Sequence, residues 1–241
     1  MGAPRKVKAE IIAVSRYSDG VTLYQFKPEH KCRFRPGQFL HLAIEPYDPS
    51  FPWPESRVFS IASIPKSELI EILISPKGDF TKRMVEELKV GDEVWLKLPF
   101  GVFNFKDAKS RDVVLIGGGT GISPFIAYLE EFIEASNSEN KMTLYYGVRN
   151  TDLIIYNDLL KKLEQHKENF KLELYIEEGD CVDFSYHNKG MMDVMKIIEK
   201  SKKMNDPVYY ISGPKAMINS CISNMSEANV NDENIFYDKW E

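Results

Sequence analysis

The stretch from residue 113 to residue 123 constrains the fold of this chain more than any other part of its 241 residues. Four apolar residues at 113–116 predict a buried strand, four glycines follow within the next five residues, and a helical pattern then begins. Glycines in such a turn adopt positive φ easily and let a ligand approach the backbone. The free N–H groups and the positive end of the next helix favour an anion. We therefore predict that the turn binds a nucleotide pyrophosphate; a tight turn with purely structural glycines is the alternative.

Two features separate this glycine turn from common phosphate-binding motifs. No lysine follows Gly121, as it would in a Walker A loop. Ile122 stands where the third glycine of the G-x-G-x-x-G dinucleotide fingerprint belongs. The turn therefore indicates a nucleotide without saying which one.

The second half of the chain alternates between strand and helix patterns. The predicted strands are 113–116, 142–146, 170–176, 208–212 and 235–237, and the predicted helices are 122–135, 153–163, a segment near 191–198, and 215–225. Such alternation is typical of an α/β domain with a parallel sheet, here of five strands. Ligands of these sheets bind at the carboxyl ends of the strands. Gly147 with Arg149, and Gly213 with Pro214, follow two of the strands, so we expect both segments to flank the glycine turn.

The first half of the chain has a different pattern. Six short β-rich runs are predicted as strands at 11–14, 21–26, 39–44, 58–61, 69–74 and 93–98. Glycine and proline turns bound them, which favours an antiparallel barrel. One helix is predicted among them, because Thr81 could cap the run 82–88.

Charge divides the chain in the same way. Residues 1–107 carry 16 Lys and Arg against 14 Asp and Glu, whereas residues 108–241 carry 15 against 22. The two halves therefore have formal charges of +2 and −7, which together give the net −5 of the chain. We predict a barrel domain at 1–107 and an α/β domain at 108–241.

Composition excludes several classes of protein. No apolar run reaches the roughly 18 residues that span a bilayer, and no apolar stretch of signal-peptide length follows the N-terminus, so we expect a cytoplasmic protein without membrane insertion. A net charge of −5 gives no reason to expect a nucleic-acid partner. The three cysteines fit no disulfide framework and are too few for a four-cysteine iron–sulfur cluster. The four histidines have no metal-ligand spacing, and we expect no metal site.

A second candidate site lies in the first half, at Arg57, Val58, Phe59 and Ser60. Arginine offers a planar fork of donors for a phosphate, and serine can donate or accept a short hydrogen bond. An aromatic ring between them can lie against a flat ligand. A surface arginine on a barrel strand, with Phe59 in the core, is an equally acceptable interpretation from chemistry alone.

Together these motifs resemble the ferredoxin–NADP reductase family, flavin reductases that combine a barrel with a nicotinamide-binding domain. The motifs follow the family order: Pro-Gly-Gln-Phe at 36–39, Arg-Val-Phe-Ser at 57–60, Gly-Asp-Phe-Thr at 78–81, Pro-Phe-Gly-Val-Phe at 99–103, the glycine turn, Gly147 with Arg149, and Gly-Pro-x-x-Met at 213–217. The resemblance implies an N-terminal antiparallel β-barrel that binds FAD, followed by an α/β domain with a five-stranded parallel sheet that binds NADPH or NADH.

The resemblance also implies roles for individual residues. Arg57 would bind the flavin diphosphate, Phe59 would stack along the flavin, and Ser60 would lie near the flavin N5. The remaining FAD contacts would be Val58, Ile74, Gly78, Phe80 and Thr81. The nicotinamide nucleotide would contact Gly118, Gly119, Thr120, Gly121, Ser123, Pro124, Gly147, Arg149, Gly213, Pro214 and Met217. The aromatic tail, through Trp240 or Phe236, would cover the flavin face where the nicotinamide enters.

Two positions depart from the family pattern. Phe59 replaces the usual tyrosine, so stacking survives but a hydroxyl bond to the flavin chain is lost. Ser212 replaces a cysteine close to the nicotinamide C4. We expect weaker flavin retention from the first change and slower hydride transfer from the second, with Ser60, Ser212 and Trp240 as the residues nearest the chemistry.

The predicted function is that of an NAD(P)H-dependent flavoprotein reductase. It would pass hydride from NAD(P)H to FAD and then single electrons to a ferredoxin, an oxygenase component or another one-electron acceptor. The alternatives are a subordinate electron-transfer or nucleotide-binding subunit of a larger complex, and a reductase of free flavin or ferric iron. Arg149 weakly favours NADPH, since it could meet a 2′-phosphate. The basic segment at Lys31, Arg33 and Arg35 could steer an acidic ferredoxin, or could be a solvated strand edge.

Overall fold

The structure, a computed structural model, describes residues 3–103, 105, 110–135, 140–179, 184 and 187–238. The chain divides into two compact units, Met1–Asn104 with Ser123–Tyr128, and Phe105–Ile122 with Leu129–Glu241. The predicted boundary between residues 107 and 108 lies outside the described residues. The domains 1–107 and 108–241 therefore stay a prediction.

The first unit is built on a six-stranded antiparallel sheet, which confirms the predicted barrel. Its strands are β1 (Arg5–Arg16), β2 (Thr22–Pro28), β3 (Phe39–Ala43), β4 (Arg57–Ser60), β5 (Ile70–Ile74) and β6 (Glu93–Phe100), in the order β4-β3-β6-β1-β2-β5. The segment after β4 reaches the other edge strand, because Ala62 N donates to Glu71 O at 2.9 Å and Glu71 N donates to Ser63 Oγ at 3.2 Å. The barrel is therefore nearly closed.

Alternation along the strands builds the barrel core. Side chains two apart on a strand share a face, and on β3 the inward pair is Leu40 and Leu42, both fully buried. β6 contributes Val94, Leu96 and Leu98 to the same cluster. The opposite face of β3 carries Phe39 and His41, so β3 separates the core from the outer surface of the barrel.

The helix of the first unit, α1 (Asp79–Glu87), begins earlier than predicted. Gly78 is the residue that caps it, and Thr81 lies in its first turn. The Thr81 hydroxyl accepts from Gly78 N at 3.1 Å and donates to Gly78 O at 2.9 Å. The prediction that Thr81 caps a helix at 82–88 is wrong because a threonine at the third helical position can satisfy the capping backbone from inside the helix.

The second unit is an α/β fold whose sheet has six parallel strands, one more than predicted. The strands are β7 (Val113–Gly118), β8 (Met142–Val148), β9 (Phe170–Ile176), β10 (Asn188–Lys189), β11 (Val208–Ser212) and β12 (Ile235–Tyr237), in the order β10-β9-β8-β7-β11-β12. The additional strand, β10, has only two residues and pairs with Tyr175 and Ile176 at the sheet edge. Two residues are too few to produce a hydrophobic period.

Among the described residues, the helices that connect these strands are α2 (Ser123–Glu134), α3 (Asn157–His166), α4 (Val194–Ser201) and α5 (Lys215–Glu227). The helix predicted at 153–163 begins later, because Tyr156 has a left-handed conformation with φ of 59° and separates α3 from a short 3₁₀ turn at Thr151–Leu153. Among the residues that the structure describes, no helix combines the length and the apolar character needed to cross a membrane.

The register of the parallel strands aligns three glycine-containing ends. Gly117 of β7 pairs with Ser212 of β11, and Gly118 pairs with Gly147 of β8. The carboxyl ends of three neighbouring strands therefore lie side by side, which is the edge where such sheets bind ligands.

Candidate functional site

The glycine turn provides open backbone at the end of β7. A 3₁₀ turn, Gly119–Ile122, leads from β7 into α2. Gly119 has φ of 54°, and a Cβ placed there would meet nothing within 4 Å. This is the conformation and the space that a phosphate needs for close approach to main-chain N–H groups. Gly119 therefore fits the predicted pyrophosphate site.

Two other glycines of the turn are closely packed within the protein. A Cβ at Gly121 would lie 2.5 Å from the Cα of Gly213 and would also contact the Ser212 carbonyl. A Cβ at Gly118 would lie 2.7 Å from the sulfur of Met217. Both distances are shorter than real Cβ contacts, but only the atoms around Gly121 are main-chain atoms, whereas the Met217 side chain near Gly118 is flexible. The turn can therefore lie against the loop after β11 only with glycine at position 121.

Gly213 completes this packing from the other side. Its φ is +152°, and a Cβ there would lie 2.7 Å from Met217 Cε and 3.0 Å from Gly118 N. Met217, in the first turn of α5, therefore lies between the glycine turn and its own loop. The structure thus brings together the glycine turn and the Gly-Pro-x-x-Met motif, which are about a hundred residues apart in sequence.

Ser212 is held at the end of β11 beside a carboxylate. It is buried, and its hydroxyl donates to Asp238 Oδ2 at 3.4 Å. Asp238 follows β12, and its N–H donates to Ile211 O at 2.9 Å. Sequence reasoning missed Asp238, although a polar residue directly after a strand of such a sheet is a recognisable signal. Trp240 lies outside the described residues, and Phe236 stacks on Tyr210 with ring centroids 5.0 Å apart.

The end of β8 forms the other flank of the turn. A Cβ at Gly147 would lie 3.1 Å from Met192 Cε, so a methionine that the sequence did not indicate covers this strand end. Arg149, two residues on, is exposed, and its carbonyl accepts from Glu178 N at 2.7 Å. Arg149 therefore stands at the carboxyl edge of the sheet, where it was expected.

In the barrel, Arg57 joins two motifs that are separate in the sequence. Its guanidinium carbon lies 5.0 Å from the ring centroid of Phe80, the second residue of α1. Nη2 forms an ion pair with Glu55 Oε1 at 2.7 Å, and Nη1 donates to the Ser56 carbonyl at 3.0 Å. The Arg-Val-Phe-Ser motif and the Gly-Asp-Phe-Thr motif therefore meet at one place.

The start of α1 fits a diphosphate beside this arginine. Gly78 is exposed, and a Cβ there would meet nothing within 4 Å. The first-turn N–H groups of a helix have no acceptor within that helix and favour an anion. An arginine fork, an open glycine and a helix N-terminus together fit the predicted FAD diphosphate.

The side chains of the other predicted flavin residues differ in how far they are buried. Phe59 is half-buried against the barrel core opposite Leu40, and Ser60 pairs with Phe39 on the other face of the sheet. Ile74 is buried in the core, so it can reach a ligand only through its main chain. Val58 is half-buried. The roles of all these residues stay predictions.

The cysteines that the structure describes do not provide a reactive thiolate. Burial raises the pKa of Cys221, in α5, to about 12 and that of Cys32 to about 11. Both thiols are therefore protonated at neutral pH, and neither is a candidate nucleophile.

Comparisons with known proteins agree with this arrangement. The family model described as the oxidoreductase NAD-binding domain matches residues 115–222. The reductase component of propane 2-monooxygenase from Mycolicibacterium goodii is 28% identical over 242 residues, which cover 97% of this chain and 67% of that protein. Methane monooxygenase component C from Methylosinus trichosporium is 32% identical over 71% of this chain and 51% of its own length.

Solved structures share the fold over almost the whole chain. The cytochrome P450 reductase GcoB from Amycolatopsis has a TM-score of 0.81 and 20% identity, over 98% of this chain and 70% of that one. A ferredoxin NADP+ reductase from Neisseria gonorrhoeae with bound FAD and NADP has a TM-score of 0.76 and 17% identity, over 97% and 98%. The predicted resemblance is confirmed. The chain has a ferredoxin reductase-like fold.

The matches also show which part of this chain each relative shares. The family model covers the glycine turn, Gly147 and the Gly-Pro-x-x-Met motif, all in the second unit. The propane and methane monooxygenase relatives are longer than this chain, which spans 67% and 51% of them. The fold class is confirmed in both units, with six parallel strands in place of five.

Proposed function

We propose that this chain is an NAD(P)H-dependent flavoprotein reductase, which takes hydride from NADPH or NADH onto FAD and passes single electrons to a small redox protein or an oxygenase component. One observation carries the proposal: each unit has its own place for a dinucleotide diphosphate. In the first unit it lies at Arg57 and the start of α1, and in the second at Gly119 and the aligned strand ends. Relatives named as reductases and a neighbour with bound FAD and NADP support the activity class and the cofactors predicted from the sequence.

The residues of the first unit would bind and orient the flavin. FAD, when bound, supplies the chemistry, since it accepts two electrons as hydride and releases them singly. Arg57 and the first-turn N–H groups of α1 would neutralise its diphosphate. Phe59 would present the exposed part of its ring to the flavin, and Ser60 would offer one hydroxyl as donor or acceptor.

The residues of the second unit would hold the hydride donor. Main-chain N–H groups around Gly119 would bind the nucleotide pyrophosphate. Ser212, with Asp238 as its acceptor, would fix a hydroxyl close to the nicotinamide. The reaction needs no nucleophilic side chain, because positioning the two rings and excluding water are sufficient for hydride transfer between cofactors.

A basic segment of the barrel would receive the electron acceptor. Lys31, Arg33 and Arg35 are exposed, whereas Cys32 and Phe34 between them pack toward the core. Within the part of the chain that the structure describes, none of the three cations has an ion-pair partner. Three unpaired charges on a segment anchored by its alternate side chains favour an acidic redox protein.

The hydrogen bonds of this basic segment lead to the Arg-Val-Phe-Ser motif. Arg35 N donates to Gln38 Oε1 at 2.9 Å, and Gln38 O accepts from Ile61 N at 2.9 Å, next to Ser60. An acceptor on the segment would therefore approach the predicted flavin site. We expect Arg33→Glu to slow the reduction of an acidic ferredoxin at low salt, with Lys89→Glu as the control of equal charge change elsewhere on the barrel. Equal rates for the two variants would contradict this docking surface.

Two further parts of the proposal concern the nucleotide and the location. Arg149 favours NADPH, which the ratio of kcat/KM for NADPH and NADH would test. Because NAD(P)H is the electron donor, we propose a cytoplasmic location, which cell fractionation would test.

The central experiment is a flavin titration followed by anaerobic reduction. The purified protein should bind FAD and show its yellow spectrum, and NADPH or NADH should bleach it without oxygen. Bound flavin that neither nucleotide bleaches would overturn the reductase proposal. That result would favour the alternative of a subordinate subunit, which Phe59 and Ser212 support.

A further inference from the structure

A carboxylate occupies the arginine fork that the flavin diphosphate needs. Glu55 Oε1 lies 2.7 Å from Nη2 of Arg57, and the Ser56 carbonyl accepts from Nη1 at 3.0 Å. Both terminal nitrogens of the guanidinium are therefore engaged by acceptors from the two residues that precede Arg57. The Arg57 and Glu55 side chains are 50% and 58% exposed, so a ligand can reach the pair from solvent.

The position of Arg57 does not depend on this carboxylate. The guanidinium also lies over the Phe80 ring at 5.0 Å, a contact that holds it at the start of α1 without Glu55. An exposed ion pair between near neighbours adds little stability. Glu55 is therefore not required to place the arginine.

The carboxylate and a diphosphate would compete for the same donors. A guanidinium recognises a phosphate through two parallel N–H groups, and Nη2 of Arg57 already forms an ion pair with Glu55. A diphosphate must either displace Glu55 from Nη2 or bind with a like charge within a few ångströms. Each course weakens binding, because an ion pair is lost or a repulsion is added.

We propose that Glu55 competes with the flavin diphosphate for Arg57 and so lowers the affinity of this chain for FAD. This inference rests on the proposed function, since it assumes that FAD binds at Arg57. It identifies Glu55 as a residue that sets flavin retention. Removal of Glu55 should change the affinity for flavins that carry phosphate and leave the affinity for other flavins unchanged. A merely structural role of Glu55 would not distinguish between the two kinds of flavin.

The test compares Kd values of the flavin-free protein for FAD and for riboflavin, which has no phosphate, by quenching of flavin fluorescence. Glu55→Gln should lower the Kd for FAD about three- to five-fold, the effect of one exposed ion pair, and leave the Kd for riboflavin unchanged. The matched control is Glu93→Gln, which removes the same charge from a pair with Lys8 at 2.7 Å and should change neither value. Glu55→Ala should reproduce Glu55→Gln.

The outcomes separate this inference from the proposed function. Equal FAD affinities of the wild type and Glu55→Gln, or weaker binding by the variant, would overturn the role of Glu55 alone. A matching change for riboflavin would also overturn it, because the effect would then not act on phosphate. Failure of both proteins to bind FAD would overturn the proposed function and this inference with it. Thermal unfolding of each variant verifies that the comparison is made between folded proteins.

Discussion

The two candidate diphosphate sites of this chain are built in opposite ways. In the first unit, side chains form the site: Arg57 lies over Phe80, and Gly78 leaves open space at the start of α1. In the second unit, the backbone forms the site, and Gly121 is enclosed by the backbone of the loop after β11. Loss of Arg57 in the first site should therefore alter affinity with little effect on stability, whereas a change at Gly121 in the second should lower stability. Gly78 leaves space for a ligand, whereas Gly121 leaves space for the neighbouring loop of the protein itself.

The strongest test of this contrast is a pair of alanine substitutions within one turn. Gly121→Ala places a Cβ 2.5 Å from the backbone of Gly213, which cannot move aside as a side chain could. We expect it to lower the free energy of unfolding by about 2–3 kcal/mol, the upper part of the range for overpacking, because main-chain atoms must move. Gly119→Ala has open space, and its positive φ should cost about 1 kcal/mol. Urea unfolding of the two variants measures the difference.

The same pair should separate packing from ligand binding. The Cβ of Gly119→Ala would stand in the open space predicted for the pyrophosphate, so this variant should bind NAD(P)H more weakly while it stays folded. If both substitutions cost equal stability, the distinction between an open and an enclosed glycine would be wrong.

The second test concerns the barrel site. Arg57→Ala should raise the Kd for FAD about ten- to a hundred-fold, because hydrogen bonds to charged groups contribute about 1.5–3 kcal/mol. The melting temperature should change little, since Arg57 is exposed. Arg83→Ala is the matched control, because it removes an arginine that bonds Glu45 and Glu87 near the same helix. A comparable loss of FAD affinity in Arg83→Ala would show a general charge effect and not a site.

Regular patterns in the sequence predicted most of the strands and helices and the place where the motifs meet. The short β-rich runs located the barrel strands, and the run of strands and helices placed Gly147 and Gly213 beside the glycine turn. β10 was missed because two residues carry no period. The beginning of α1 was misplaced because glycine and threonine can both satisfy a helix start.

Contacts between distant residues were the other part that the sequence could not provide. Nothing local indicates that Asp238 accepts from Ser212, or that Met192 covers Gly147. The ion pair of Glu55 with Arg57 is close in sequence, but charges two apart on an extended segment pair only when the chain bends suitably. The enclosure of Gly121 depends on a loop that follows a different strand. The sequence pattern therefore located the motifs, and the structure identified the residues that contact them.

A smaller effect is expected at Ser212, where the backbone-built site has one hydroxyl. Ser212→Ala removes the donor to Asp238 and should slow anaerobic flavin reduction about two- to ten-fold, the range for a single hydrogen bond. The Kd for the nucleotide should not change, because main-chain groups hold its diphosphate. Ser220→Ala, on the exposed side of α5, is the control. Stopped-flow measurement of flavin bleaching tests this, and an unchanged rate would leave Ser212 with a packing role only.

The smallest expected effect is at Phe59, where the side-chain site departs from the family pattern. Phe59→Tyr adds one hydroxyl to a ring that is half-buried against the barrel core opposite Leu40. If the exposed edge of this ring faces the flavin, the hydroxyl gains one hydrogen bond and lowers the Kd for FAD about two- to five-fold. If the edge faces the core instead, the hydroxyl is buried without a partner and the melting temperature falls. Flavin titration and thermal unfolding of this variant therefore decide whether the exposed edge of the Phe59 ring faces the cofactor. A loss of stability without a gain in affinity would assign Phe59 to the core.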